Sequence, residues 1–256
     1  MTFLNVFILS VVEGLSEFLP ISSTGHLLIV NKLLDISQTN FLSSFTITIQ
    51  LGAILAVLVL YGKDLLLNKS TLLKVLTAFV PTAVIGFILY KIIKHLLMNG
   101  LATVGITLVL GGLVLVAFEY WYEEKESDVG EVDQITYKQA FLLGLAQSVA
   151  MIPGVSRSGA TIVGGMLLRL KRKTIVEFSF LLAIPTMIAA TGYDLLKSAS
   201  SFSLDQWELM AVGVVATFLV ALLAVKGFLQ FVSRYNFTVF GIYRVIVGLL
   251  VLWFLV

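Results

Sequence analysis

Two carboxylates near the start of the chain have a spacing that suits chemistry. Glu13 and Glu17 are four residues apart, so on a helix they share one face. In an apolar setting their like charges repel, and a cation between them or a proton on one would relieve the conflict. Magnesium is commonly held by one or two carboxylates and substrate phosphate oxygens. The pair predicts a divalent cation site, for Mg²⁺ or Ca²⁺; the alternative is a pair that reaches water at a membrane boundary.

A hydroxyl-rich stretch with a histidine follows the carboxylates, and it reads Ser22-Ser23-Thr24-Gly25-His26. His26 can act as a general acid or base, or as a nucleophile at phosphorus. Ser23 can instead be the nucleophile, with His26 as its base. A histidine on its own is more often a hydrogen-bonding residue of a core or interface. Beside two glutamates and several hydroxyls, a functional role is favoured.

A second polar stretch, from Pro153 to Thr161, has the composition of an anion-binding loop. Its glycines let backbone N–H groups approach a ligand closely, and a helix N-terminus adds its positive dipole end. Arg157 adds a planar fork that suits two phosphate oxygens. The alternative is a serine-rich helix cap with a snorkelling arginine. The predicted phosphate-binding residues are Arg157, Ser156, Ser158, Gly159, Thr161 and, from the first stretch, Ser22.

The composition places these residues in a membrane protein. Hydrophobic residues make up 59% of the 256, charged residues 12%, and the mean hydropathy is +1.02. Soluble domains are roughly 45–50% apolar and about 25% charged, so the excess apolar surface must face lipid. A net charge of +2 gives no reason to expect a nucleic-acid partner. Cysteine is absent, which excludes disulfides, cysteine-ligated zinc and thiol nucleophiles.

Hydropathy divides the chain into spans and interrupted stretches. A helix needs about 20 apolar residues to cross a bilayer. Six segments qualify, namely 41–61, 73–95, 101–121, 175–196, 207–227 and 238–255. The stretches 3–30 and 138–169 each have an apolar half, a polar break and a second apolar half. Non-helical backbone at membrane depth must be buried in protein or line a cavity, so each stretch predicts a re-entrant helical hairpin.

The two interrupted stretches resemble each other. Gly14-Leu15-Ser16-Glu17 matches Gly144-Leu145-Ala146-Gln147, and Ser22 to Gly25 matches Ser156 to Gly159. Three spans follow each stretch, so the second half enters the membrane inverted. The predicted fold is an all-α polytopic single domain with inverted repeats over about 1–121 and 136–256. Pro-Thr pairs at Pro81 and Pro185 fall in non-equivalent spans and carry no weight here.

Lysine and arginine in the short loops predict the orientation. One side holds Lys63, Lys69, Lys125, Lys138, Arg169, Lys171, Arg172, Lys173, Lys226 and Arg234, and the other holds Lys32, Lys91, Lys94 and Lys197. The first side is predicted to be cytoplasmic. Both termini and the loops 31–40, 96–100 and 197–206 then lie outside. Arg244, inside the last span, is predicted to form a structural ion pair with Glu119 or Glu177.

The motifs closely resemble a known family. EGLSEFLPISSTGHL (Glu13 to Leu27), PGVSRSGAT (Pro153 to Thr161) and EFSFLLAIPT (Glu177 to Thr186) are similar to the undecaprenyl-diphosphate phosphatase family linked to bacitracin resistance. The resemblance covers essentially the whole chain. It implies a multi-pass protein of the cell membrane that hydrolyses undecaprenyl diphosphate to the monophosphate and phosphate, recycling the lipid carrier of cell-wall synthesis. It also implies dependence on a divalent cation and a site on the extracytoplasmic side.

The resemblance also implies residue roles. By motif match, Glu13 and Glu17 are the family's acidic pair, Ser23 and His26 its nucleophile and acid/base candidates, and Arg157 its phosphate-binding arginine. Ser156 and Thr161 match further polar positions, and the division of labour between Ser23 and His26 stays open.

The residue pattern suggests two other functional classes for comparison. A secondary transporter or flippase is one, because inverted repeats with broken helices are typical of transporters. An acid-phosphatase-type lipid phosphatase is rejected, because it needs a downstream histidine and the two histidines, His26 and His95, lie upstream of the Ser-Arg-Ser-Gly stretch. The partners expected are undecaprenyl diphosphate and membrane lipid. The lipid chain length and the oligomeric state, a homodimer included, stay open.

Overall fold

In the computed structural model the chain folds into helices joined by turns. The structure describes residues 1–98 and 100–256, with side chains described outside 64–66 and 90–98. Lys91, Lys94 and His95 therefore lie outside the described side chains. Within the described part there is no β-strand, and one isolated parallel bridge joins Val129 to Leu170.

The described residues of the first half form six α-helices. They are α1 (Phe3–Ser16), α2 (Ser23–Leu33), α3 (Asn40–Thr48), α4 (Gln50–Leu67), α5 (Lys69–Met98) and α6 (Gly100–Trp121). Hydroxyl side chains determine several of the starts, because an N-cap oxygen satisfies a backbone N–H that the helix leaves unpaired. Thr2 forms a capping box with Asn5, and Thr39 caps α3.

The second half contains five helices. They are α7 (Tyr137–Ser148), α8 (Arg157–Leu167), α9 (Arg172–Ser198), α10 (Leu204–Val232) and α11 (Thr238–Phe254). Thr136 and Ser203 form capping boxes at α7 and α10. Between α6 and α7, Asp128 accepts hydrogen bonds from the Tyr122 hydroxyl and the Lys125 N–H. Burial and the charge of Asp128 raise the pKa of Tyr122 to about 12, so this phenol keeps its proton.

Among the described residues, five helical stretches are long and apolar enough to cross a membrane, which makes the chain a multi-pass membrane protein. They are Asn40–Lys63, Lys69–Leu89, Gly100–Trp121, Arg172–Ser201 and Leu204–Val232. The first is interrupted at Ile49, between α3 and α4. The sixth predicted span corresponds to α11, whose 17 residues extend about 26 Å, slightly less than the hydrocarbon core.

Both interrupted stretches consist of a helix, a break and a second helix, as the sequence predicts. The first break covers residues 17–22 and ends at Ser22, whose φ is 72°. The second covers 149–156 and contains Gly154 with φ 87°. A Cβ on Gly154 would lie 1.9 Å from the Thr107 hydroxyl oxygen, so α6 and the break approach each other at a distance that only glycine permits.

The two halves interlock through reciprocal helix packing. The most extensive interhelical contact joins α6 to α11, the last helix of each half. The broken helix α1 packs along α10, and α7 packs along α5, so each half packs its first helix against the other half. This arrangement places the two breaks side by side in the interior.

Candidate active site

Three predicted site residues meet where the two breaks come together. Arg157, the first residue of α8, directs Nη2 to Glu17 Oε1 at 2.9 Å. Ser23, the first residue of α2, donates its hydroxyl to Glu17 Oε2. Arg157 Nη1 also donates to the Ser179 carbonyl at 2.8 Å. Glu17 therefore connects a potential nucleophile from one half to a cation from the other.

A polar cavity of about 240 Å³ opens beside this cluster. Both breaks and the helix starts that follow them contribute to its wall. The first side provides Glu17, Ser22, Ser23 and Thr24, and the second provides Pro153, Gly154, Val155, Ser156 and Arg157. A carboxylate, hydroxyls and a guanidinium facing one cavity suit a phosphate group, whose charge the cation offsets and whose oxygens accept hydrogen bonds.

Several polar residues of the wall were not predicted as site residues, and three of them form one hydrogen-bonded group. Gln147 Nε2 donates to Thr82 Oγ1 at 2.9 Å and to Thr186 Oγ1 at 3.3 Å. All three line the cavity. The sequence carried a signal for them, because Gln147 is the counterpart of Glu17 in the repeat and the threonines belong to the two Pro-Thr pairs. Those pairs fall in non-equivalent spans, yet both threonines contact the same amide.

Glu13 lies deeper than the rest of the predicted site. Its side chain is fully buried, and neither carboxylate oxygen has a hydrogen-bond partner within the described part of the chain. It lies within electrostatic range of Glu17 and Arg157. No group of three or more potential metal ligands occurs among the described residues, so the protein offers two carboxylates here. An unpartnered buried carboxylate one turn from Glu17 fits a cation held jointly with phosphate oxygens.

His26 makes its hydrogen bonds outside the Glu17 cluster. Nδ1 lies 2.8 Å from the Ser22 carbonyl, and Nε2 lies 2.8 Å from the Tyr243 hydroxyl. A carbonyl only accepts, so neutral His26 carries its proton on Nδ1 and accepts the Tyr243 proton on Nε2. His26 and Tyr243 line a separate, mostly apolar cavity of about 510 Å³. The predicted pairing of Ser23 with His26 as its base is therefore not the arrangement in the structure, where Ser23 bonds to Glu17.

The remaining predicted phosphate-binding residues lie behind the cavity wall. Ser158 and Thr161 are fully buried. Ser158 donates to the Leu19 carbonyl at 2.7 Å, and Thr161 Oγ1 lies 2.7 Å from Ser179 Oγ. Gly159 donates its N–H to the capping Ser156 hydroxyl at 3.1 Å. In this structure Ser158 attaches α8 to the first break, Thr161 attaches it to α9, and Gly159 completes the cap of α8. Ser156, Arg157 and Ser22 line the cavity.

Arg244 holds the two breaks together, which corrects its predicted ion pair with Glu119. Its buried guanidinium donates to the carbonyls of Pro20 at 3.1 Å and Gly154 at 3.2 Å, one in each break. A third bond goes to Thr107 on α6. Glu119 instead pairs with Arg172 at 2.6 Å. The sequence signal for this role was the presence of an arginine within an apolar span, because a cation buried in a membrane needs specific partners.

Comparison with known proteins gives one family. Residues 6–250 match the model of the family described as bacitracin resistance protein BacA. The undecaprenyl-diphosphatase of Wolinella succinogenes is 50% identical over 255 residues, covering 100% of this chain and 99% of the relative. That of Persephonella marina is 51% identical, covering 96% of each chain. That of Methanococcus aeolicus is 41% identical and covers 100% of both.

Proposed function

The chain belongs to the bacitracin resistance protein BacA family, and we propose on this basis that it is an undecaprenyl-diphosphate phosphatase. It hydrolyses the lipid diphosphate to undecaprenyl phosphate and inorganic phosphate, and so recycles the lipid carrier for cell-wall synthesis. The observation that carries the proposal is the cluster of Glu17, Ser23 and Arg157 beside a polar cavity. This cluster contains a hydroxyl nucleophile, its proton acceptor and a phosphate-binding cation.

The geometry favours Ser23 over His26 as the nucleophile. Ser23 already donates its proton to Glu17, whereas both His26 ring nitrogens have other partners. Ser23 Oγ attacks the terminal phosphorus, its proton passes to Glu17, and the bond from phosphorus to the bridging oxygen breaks. Undecaprenyl phosphate leaves. Water then hydrolyses the phosphoserine: its hydroxyl group bonds to phosphorus and leaves as inorganic phosphate, and its remaining proton goes to Ser23 Oγ. Glu17 releases the proton it accepted to solvent.

Arg157 contributes charge and orientation in both steps. Its guanidinium binds Glu17 and the Ser179 carbonyl, and its buried Nε has no hydrogen-bond partner among the residues that the structure describes. Charge on the phosphate oxygens is stabilised by such preorganised donors more than by mobile water. The same contact holds the Glu17 carboxylate between Arg157 and the Ser23 hydroxyl.

Glu13 and Glu17 are the residues that would hold a divalent cation, Mg²⁺ or Ca²⁺. Support comes from the buried, unpartnered oxygens of Glu13 one helical turn from Glu17. When bound, the cation supplies positive charge that offsets the diphosphate and the two carboxylates. Without a counter-charge, two buried carboxylates destabilise each other.

The membrane arrangement belongs to the same proposal. Six spans and two re-entrant hairpins form two inverted repeats, with both termini and the site on the extracytoplasmic side. The reciprocal packing of α1 on α10 and α7 on α5 supports the repeats, because these pairs exchange under a two-fold relation of the halves. The excess of lysine and arginine in one set of loops supports the orientation.

Phosphate release by the purified protein in detergent tests the proposal. The substrate is undecaprenyl diphosphate, and the assay is run as purified, with EDTA, and with EDTA followed by excess Mg²⁺ or Ca²⁺. We expect release that the chelator abolishes and a cation restores. Binding, or transport of a labelled lipid diphosphate in vesicles, without any hydrolysis would contradict the proposal and assign the cavity to a transporter.

A further inference from the structure

A second polar cavity, of about 570 Å³, lies at the N-terminus of α9, away from the two breaks. Thr186 on the wall of the catalytic cavity is twelve residues along α9 from Thr174 in this one, which is about 18 Å. The wall of this second cavity is formed by the start of α9, the loop after α6 and the end of α10. Its charged members are Lys171, Arg172, Lys173, Arg234 and Glu124.

Two of these cations are free to bind a ligand. Arg172 pairs with Glu119 at 2.6 Å and lies 3.6 Å from Glu124, so its charge is already offset. Lys171 and Arg234, by contrast, have no carboxylate within 4.0 Å among the residues whose side chains are described. Two uncompensated cations that face one cavity favour an anion.

The start of α9 adds uncharged donors to the same wall. The N-cap Lys171 makes no side-chain cap hydrogen bond, and the Arg172 N–H donates to Glu124 Oε2 at 2.8 Å. The N–H groups of Lys173 and Thr174, which follow in the first turn of this 27-residue helix, have no partner within the helix itself. Thr174, also in the cavity wall, is 1% exposed, and its hydroxyl oxygen has no partner in the described structure. A buried hydroxyl without a partner costs free energy that a bound acceptor would recover.

We propose that this cavity binds a phosphate group, and that an anionic membrane phospholipid presents it. Phosphate accepts hydrogen bonds from backbone N–H groups, a hydroxyl, an ammonium and a guanidinium together. The cavity lies at the ends of membrane-spanning helices, with exposed aromatic rings nearby at Trp121 and Tyr235. Such rings mark the headgroup level of a bilayer, and basic pockets between spans at this level suit acidic headgroups. The proposal does not depend on the chemistry assigned to the two breaks.

The test is a binding titration with full-length protein in a neutral detergent. The probes are radiolabelled phosphatidylglycerol, phosphatidylcholine and inorganic phosphate. The cavity variant Lys171→Gln/Arg234→Gln removes the two free cations without touching Arg172. The matched control Lys138→Gln/Lys226→Gln removes two exposed lysines that lie outside the cavity wall. Thr174→Val keeps the volume of the side chain and removes the hydroxyl.

We expect phosphatidylglycerol to bind the cavity variant roughly 30-fold more weakly than wild type, because each interfacial cation contributes about a fivefold step in affinity. Thr174→Val should weaken binding less, and the control should match wild type. Inorganic phosphate that binds wild type but not the cavity variant, with no phosphatidylglycerol binding, would keep the phosphate site and overturn the lipid source. Equal binding of all probes to wild type, cavity variant and control would overturn the site itself.

Discussion

At the scale of single residues, the chemistry depends on which partner each polar group has. The sequence predicted the residue types of the site, because carboxylates, hydroxyls and an arginine in apolar stretches are costly unless used. It did not predict their hydrogen bonds. Glu17 and Arg157 are 140 positions apart, and spacing along a chain says nothing about such a pair. His26 follows Ser23 by three residues, yet in the structure Ser23 is hydrogen-bonded to Glu17 and His26 is hydrogen-bonded to Tyr243.

Replacing Ser23 tests its role as nucleophile. Ser23→Ala should lower kcat by roughly three orders of magnitude while leaving the thermal unfolding temperature near that of wild type, because a small hydroxyl is lost and the fold keeps its contacts. Acid quenching during turnover of substrate labelled with ³²P in its terminal phosphate should trap a phosphoserine in wild type and none in the variant. Ser43→Ala, at an exposed helix position, is the matched control. Near-normal turnover by Ser23→Ala would reassign the nucleophile.

Replacing Glu13 tests the cation site. Glu13→Gln should raise the Mg²⁺ or Ca²⁺ concentration for half-maximal activity by at least about tenfold, because one of two carboxylate ligands is lost. In EDTA the same variant should unfold at a higher temperature than wild type, because an amide does not repel Glu17. Glu208→Gln, on an exposed face of α10, should change neither quantity. A lower unfolding temperature in EDTA would show that Glu13 has a stabilising partner instead.

At the scale of helices, the breaks position the chemistry. Their locations could be predicted, because proline, glycine and hydroxyl residues interrupt apolar stretches that otherwise read as spans. The contact between the breaks could not, since it depends on Arg244 donating to a carbonyl of each and on glycines that allow the approach. Gly111 shows the requirement, because a Cβ there would lie 2.2 Å from Arg244 Nη2.

A methyl group at the second break tests how closely the elements fit. Gly154→Ala should destabilise the protein by about 1–3 kcal/mol and reduce turnover, because its φ of 87° is strained for alanine and its Cβ would meet Thr107. Gly192→Ala is the matched control, since its Cβ meets nothing within 4 Å inside α9. Helix propensity should make that variant as stable as wild type or slightly more. Thermal unfolding in detergent compares the two, and a neutral Gly154→Ala would contradict the close packing of the breaks.

At the scale of the whole molecule, the positions of the long apolar helices were predicted, whereas their continuity was not. Hydropathy averages over a window, so it located the five long apolar helices but not the interruption at Ile49. The reciprocal packing of the halves follows from the repeat of break and three spans. Orientation depends on loop charge alone, and it stays a prediction.

Cysteine labelling tests the orientation cleanly, because the chain has no cysteine of its own. Single variants Ser37→Cys and Ser200→Cys should react with a membrane-impermeant maleimide added to intact cells. Ser127→Cys and Ser233→Cys should react only after the cells are permeabilised. All four serines are exposed, so accessibility to the reagent differs by side of the membrane and not by burial. The reverse pattern would invert the molecule, and labelling of all four in intact cells would contradict a single orientation.

The most direct test of the account is phosphate release by Arg157→Ala from undecaprenyl diphosphate. Arg157 begins the helix after the second break and pairs with Glu17 of the first break, which also accepts the Ser23 hydrogen bond. Its loss therefore separates a joint site from one built around a single break. We expect at least a hundredfold fall in kcat/KM, or about 3 kcal/mol of transition-state stabilisation, with folding unchanged in detergent. Arg169→Ala, an exposed arginine at the end of α8, should behave as wild type. Turnover by a folded Arg157→Ala protein within a few fold of wild type would contradict the claim that the two breaks form one catalytic site.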